Sequence, residues 1–211
     1  MAAKLGLVAI AVLAAAAVAG VAFLSQPTTT VPTTSTTTIA TTTTQPPSMT
    51  TTTTARAIPQ WMQVTLKDPR TGQTFRISDF EGKVVVLEIM AIWCPVCVDQ
   101  GSEIQKVING LSAEVKDRVV FISVDVDPNE NEANLATYAD SLKRTWPFAY
   151  DSTGEFFKTF IRDRGTTVRS EMPAVPIYII ALDGSISRMP GGPYEVKSPS
   201  LILSWINSAL S

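Results

Sequence analysis

Histidine is absent from the 211 residues. That absence removes His-ligated zinc, copper and haem and every Ser-His or Cys-His pair, because each needs an imidazole as ligand or base. Cysteine is scarce: two residues are too few to close a tetrahedral Cys-rich zinc site. Basic charge is not in excess either, with 17 Lys plus Arg against 19 Asp plus Glu. No cationic field is available for counterion release, so nucleic acid is not an expected partner. The acidic run Asp125, Asp127, Glu130 and Glu132 lacks the Gly and spaced oxygens of an EF-hand loop. It reads as a solvated turn, and no metal site is expected.

The charges that are present avoid the N-terminal quarter, where only Lys4 and Arg56 occur in the first 60 residues. Residues 5–24, opening at Leu5 and closing at Leu24, carry no charge and match the thickness of a ~30 Å hydrocarbon layer at about 1.5 Å per residue. Two accounts fit this segment. It is an uncleaved membrane anchor, or a signal peptide with Ala17-Val18-Ala19 as its small-residue cleavage site. From Pro27 to Thr54, 17 of 28 positions are Thr, mixed with Pro and a few Ser. A stretch with so few large apolar side chains cannot offset the entropy of ordering and reads as an extended, O-glycosylated stalk or a plain low-complexity linker. A long spacer serves mainly when one end is fixed, which favours the anchor. The expected organisation is a transmembrane signal anchor over 1–25, a disordered Thr/Pro-rich stalk over 26–57 and a globular domain over 58–211. The protein is then a single-pass cell-membrane protein with its C-terminal domain extracytoplasmic, or secreted if the signal is cleaved.

In the globular part, continuous apolar runs predict buried strands over 84–90, 119–126 and 177–182. Turn residues at 68–72 predict an opening hairpin of 63–67 with 74–77, and Asp183-Gly184 a closing one with 185–189. Helical spacing fits 97–111, 132–144, 155–162 and 200–210. Strands interleaved with helices point to an α/β sandwich around a mixed sheet.

The chemistry lies in Trp93-Cys94-Pro95-Val96-Cys97, directly after the first buried strand and at the start of a helix. Cys94 falls in the N-cap region and Pro95 at the first helical position, where its missing N–H costs nothing. The unpaired N–H groups and partial positive charge there stabilise a Cys94 thiolate, a nucleophile. Cys97 is one turn along, placed to attack a mixed disulfide on Cys94. Half of a zinc site and a static structural disulfide are the other readings of such a pair. A c-type haem site is ruled out because Val98, not His, follows Cys97. Glu88 is an acid inside an apolar strand, six positions before Cys94, so burial should raise its pKa toward neutrality.

These residues, with 79–83, Trp146-Pro147-Phe148-Ala149-Tyr150-Asp151 and Val175-Pro176-Ile177, resemble the thioredoxin fold over about residues 62–209. Within it they resemble the membrane-tethered TlpA/ResA-like thiol-disulfide oxidoreductases. The resemblance implies a thioredoxin-like sandwich with a central mixed sheet flanked by helices, no cofactor, and protein thiols and disulfides as partners. It implies that Pro176 is cis and lies against the cysteine pair. The backbone of Val175 would pair with the substrate chain, and Trp93, Pro95 and Val96 would flank the docking surface. It also gives Glu88 the proton of Cys97. One departure is plain: thioredoxins offer that acid a Lys from the neighbouring strand, and 119–126 contains none. A peroxiredoxin would need Thr or Ser three residues before the reactive Cys, where Ala91 stands.

The expected activity is extracytoplasmic thiol-disulfide exchange, as a reductant in cytochrome c maturation or disulfide repair, with a membrane electron-transfer partner. Val96 lacks the imidazole that the superfamily's oxidases commonly place between the cysteines. The alternative is a redox-inert stalked surface protein with a structural disulfide. Arg162, Arg164 and Arg169 read as a solvated surface before the Pro176 loop.

Overall fold

The computed structural model describes residues 57–165, 176–192 and 194–211. The membrane segment, the Thr-rich stretch, Arg169 and Val175 lie outside the described residues. In chain order the elements are β1 (Leu66–Lys67), β2 (Thr74–Phe75), β3 (Val84–Met90), α1 (Pro95–Gly110), α2 (Ala113–Lys116), β4 (Val119–Asp125), α3 (Glu132–Ser141), β5 (Phe148–Tyr150), α4 (Glu155–Arg164), β6 (Ile177–Ile180), β7 (Ile186–Arg188) and α5 (Pro199–Leu210). Among the described residues no helix is long and apolar enough to cross a membrane.

Five strands form one mixed sheet in the order β5-β4-β3-β6-β7. β3 runs parallel to β4 and antiparallel to β6, and β4 runs parallel to β5. All seven residues of β3 are buried, as its unbroken apolar run requires of a strand covered on both faces. Alternation sorts its side chains. Val84, Val86 and Met90 join α1, α3 and α5 through Ile104, Val107, Leu135, Ile202 and Ile206. Val85, Leu87 and Ile89 meet the other layer, where Phe156 and Phe160 of α4 pack with Trp61, Leu66 and Ile77. Strand period places Glu88 on the first face, beneath the helix that carries the cysteines.

Several boundaries differ from those predicted. Gln63 belongs to a 3-10 turn, Gln60–Gln63, formed around the fully buried Trp61, so the opening hairpin is short and starts at Leu66. α1 starts at Pro95 rather than Cys97, because Cys94 is the cap residue. α2 was not anticipated. One turn forms there because the Ser112 side chain accepts from the Val115 amide. α3 stops at Ser141, and Lys143 adopts φ 53°. That reversal in a non-glycine residue takes Arg144 out of the helix on which it was expected. Asp125 is no part of a solvated turn: it is the last residue of β4 and fully buried.

Candidate active site

The site is assembled where β3 runs into α1. Cys94 has extended backbone, φ −84° and ψ 110°, and its sulfur accepts from the Cys97 amide at 3.2 Å. Pro95 occupies the first helical turn. Cys94 and Cys97 form a disulfide with Cα atoms 5.2 Å apart. Both residues are buried, within the same apolar cluster as Met90, Ile104 and Ile177. Val96 packs half-buried against that cluster. Trp93 is the exposed member, at 52%. Its indole N–H donates to the Asp127 carboxylate, which anchors the ring to the loop after β4. Pro176 is buried, and its carbonyl accepts from the Ile89 amide at 3.2 Å, so it stands beside the end of β3.

Glu88 is 1% exposed. Burial pushes its carboxyl up to about 7, opposed by the hydroxyl bond from Ser123 and the positive charge of Arg144. Ser123 Oγ donates to Glu88 Oε2 at 2.5 Å and accepts from the Trp146 indole at 2.8 Å. Glu88 Oε1 has no hydrogen-bond partner. The acid near neutrality was foreseen from sequence. The groups that tune it were not: Ser123, Trp146 and Arg144 lie 35, 58 and 56 residues away in the chain. The missing strand Lys was the available signal, since a buried carboxylate demands a positive charge from somewhere.

A second acid was also missed. Burial pushes Asp125 up to about 7; the Asp127 amide bond lowers it, while the charges of Glu130 and Asp127 raise it. Asp127 itself is raised by burial, but the bonds from the Asn129 amide, the Trp93 indole and the Asn129 side chain together outweigh that and hold it below its ordinary value. Tyr138 of α3 is raised by burial first and then by Glu88, so its phenol stays protonated. Glu132 is paired with Lys67 at 2.6 Å rather than turned toward a metal. No cluster of acidic and sulfur ligands suited to a metal occurs among the described residues.

The site therefore holds a disulfide closed by two cysteines at a helix N-terminus, with a buried carboxyl raised to about 7 on the sheet face that the helix covers. Residues 30–186 match the model of the Redoxin family, well over half of the chain. The chain belongs to the Redoxin family. Of this Redoxin, 99 residues are 30% identical to the thiol-disulfide oxidoreductase ResA of Oceanobacillus iheyensis, covering 47% of this chain and 49% of that one. The chain therefore spans about half the length of that relative. Among solved structures, a secreted Mycobacterium tuberculosis disulfide oxidoreductase homologous to E. coli DsbE matches with a TM-score of 0.56 and 14% identity, over 72% of this chain and 99% of that one. The structure of MTB dsbF matches with a TM-score of 0.55 and 17% identity over the same shares. Such likenesses establish the thioredoxin-like fold that the sequence led us to expect.

Proposed function

We propose that this Redoxin is a thiol-disulfide oxidoreductase that exchanges electrons with protein thiols and disulfides outside the cytoplasm, tethered through residues 5–24. The observation that carries the reading is the Cys94–Cys97 disulfide at the N-cap of α1, on the sheet face that also bears Glu88. In the reduced protein the Cys94 thiolate attacks a substrate disulfide, forming a mixed disulfide and expelling one substrate thiolate. Cys97 S–H then gives its proton to the Glu88 carboxylate, and its sulfur attacks Cys94. The Cys94–Cys97 bond forms, the Cys94–substrate bond breaks, and the second substrate sulfur leaves with the electron pair and is protonated. The substrate gains two electrons and the protein loses two. Trp93, Pro95 and Val96 flank the incoming chain, and Pro176 with Val175 aligns it. The direction we favour is reduction, as in cytochrome c maturation or disulfide repair, with a membrane electron donor restoring the thiols.

Cys97→Ala in intact membranes tests this reading. It should accumulate mixed disulfides on Cys94, and recovery of none would defeat catalysis. The burial of both sulfurs favours a second reading, a display protein whose disulfide is inert. A reduction potential well below about −300 mV and no reaction with small thiols would select it.

A further inference from the structure

Arg144 is a buried cation, 7% exposed, and among the described residues it takes part in no ion pair within 4.0 Å. Its Nη2 donates to the Val98 carbonyl at 2.8 Å and to Ser102 Oγ at 3.2 Å, both on the first turns of α1 beyond Cys97. Its Nε is buried without a hydrogen-bond partner. The guanidinium lies 5.7 Å from the centre of the Trp146 ring, whose indole N–H reaches Ser123 and thereby Glu88.

Three features hold it there at some cost. Lys143 takes a left-handed φ of 53°, unfavourable for a side-chain-bearing residue, and so returns the chain beneath α1. Gly101 leaves the room: a Cβ at that position would stand 3.1 Å from the guanidinium. Arg70 donates to the Arg144 carbonyl at 2.8 Å and fixes the backbone. Carbonyl and hydroxyl partners satisfy hydrogen bonds but leave a buried positive charge uncompensated, which is costly unless an anion shares the interior.

We propose that Arg144 is the positioning charge of the exchange reaction: its guanidinium, tied to the cysteine-bearing helix, sets the proton affinity of Glu88 and so decides when Cys97 can be deprotonated. The proposal rests on the proton-accepting role given to Glu88 above. Arg144 stands in for the absent strand Lys, delivered from the reversal after α3 rather than from β4. Other titratable groups near the pair are Tyr138 of α3, which stays neutral, and Asp125 of β4, whose charge bears on the same phenol. Asp68 and Arg70 on the hairpin compensate each other at 2.9 Å. Burial favours the neutral carboxyl and Arg144 favours the carboxylate. The balance keeps a fraction of Glu88 ionised at neutral pH, and that fraction takes the Cys97 proton as the new disulfide forms and the substrate sulfur departs.

The test compares Arg144→Gln, which removes the charge but keeps an N–H donor, with Arg144→Lys, which keeps the charge but loses the planar fork. In the full chain, the Glu88 carboxyl is followed by carbon-13 NMR titration and the single-turnover reduction of a disulfide peptide is followed against pH. Arg144→Gln should move the Glu88 midpoint, and with it the acidic limb of the rate profile, upward by about one pH unit. Arg144→Lys should hold both near their wild-type positions. On a Glu88→Gln background, Arg144→Gln should leave the rate profile where Glu88→Gln alone put it. A folded Arg144→Gln protein with an unmoved Glu88 titration overturns the proposal, as does Arg144→Lys behaving like Arg144→Gln. A titration that moves while the exchange rates stay still would remove Glu88 from the reaction and leave only its electrostatic tie to Arg144.

Discussion

At the scale of single residues, Glu88 holds the most information, because its position forces a choice between two costs. Ionised, it must give up water on a strand with both faces covered. Neutral, it can take a proton only after it has lost one. Burial raises the carboxyl to about 7, Ser123 and Arg144 temper the rise, and the outcome is a group that can do both within a narrow pH range. Glu88→Gln keeps the shape and removes the carboxyl that we propose as the proton acceptor. We expect resolution of the mixed disulfide at pH 7 to slow on the order of 100-fold. The wild-type rate should climb through pH 7 as the carboxylate forms, and the variant should show no limb there. Stopped-flow kinetics on a preformed Cys94 mixed disulfide reads both. Coincident pH profiles for the two proteins would remove the carboxylate from the step.

At the scale of elements, the hairpin β1–β2 matters less for its two short strands than for its turn. Asp68 accepts from the Arg70 amide at 2.9 Å, from Arg70 Nη2 at 2.9 Å and from the Phe148 amide at 3.3 Å. Arg70 reaches on to the carbonyls of Arg144 and Trp146 and lies 5.5 Å from the centre of the Phe148 ring. The turn therefore clamps the segment that presents Arg144 and Trp146 to the site. Arg70→Ala strands a buried carboxylate and two carbonyls at once. We expect it to destabilise the domain by about 3 to 5 kcal/mol, read from the denaturation midpoint. A loss below about 1 kcal/mol would show that the clamp is dispensable. Turn residues at 68–72 made the hairpin legible in the sequence, as continuous apolar runs did for β3, β4 and β6. The clamp was not legible, because Asp68 and Phe148 meet only after the sheet has formed. The ends of α1 and α3 were misplaced for local reasons. Periodicity reports which residues face the core, not where a cap or a left-handed residue stops the helix.

At the scale of the whole molecule, the sheet separates what could be read from what could not. Cys94, Cys97 and Glu88 sit within ten residues of one strand-to-helix passage, so they are neighbours along the sequence, and the resemblance to thioredoxins was what tied Glu88 to the cysteine pair. Ser123, Asp125, Arg144 and Trp146 come to that face from β4 and the segment after α3, and only tertiary packing makes them neighbours of Glu88. That packing leaves two acids, Glu88 and Asp125, raised to about 7 inside one domain. Their effect on stability has a definite sign. Each binds its proton more tightly in the folded chain than in the unfolded one, where Glu and Asp titrate near their ordinary values. Between those values and about 7 the native state holds protons that the unfolded state has released, so stability falls as pH rises. The contribution is fully present below the unfolded values and is lost by the time pH passes the folded ones. With both groups titrating, the slope is on the order of 2 to 3 kcal/mol per pH unit at its steepest. We therefore expect the oxidised domain to resist urea better at pH 5 than at pH 7.5. Glu88→Gln should remove about half of that difference and Asp125→Asn much of the rest. An unfolding midpoint that does not fall from pH 5 to pH 7.5 would mean that these carboxyls titrate in the folded protein no higher than they do in water. The acid beneath Cys97 would then be fully ionised at neutral pH, and nothing would link its proton to the exchange.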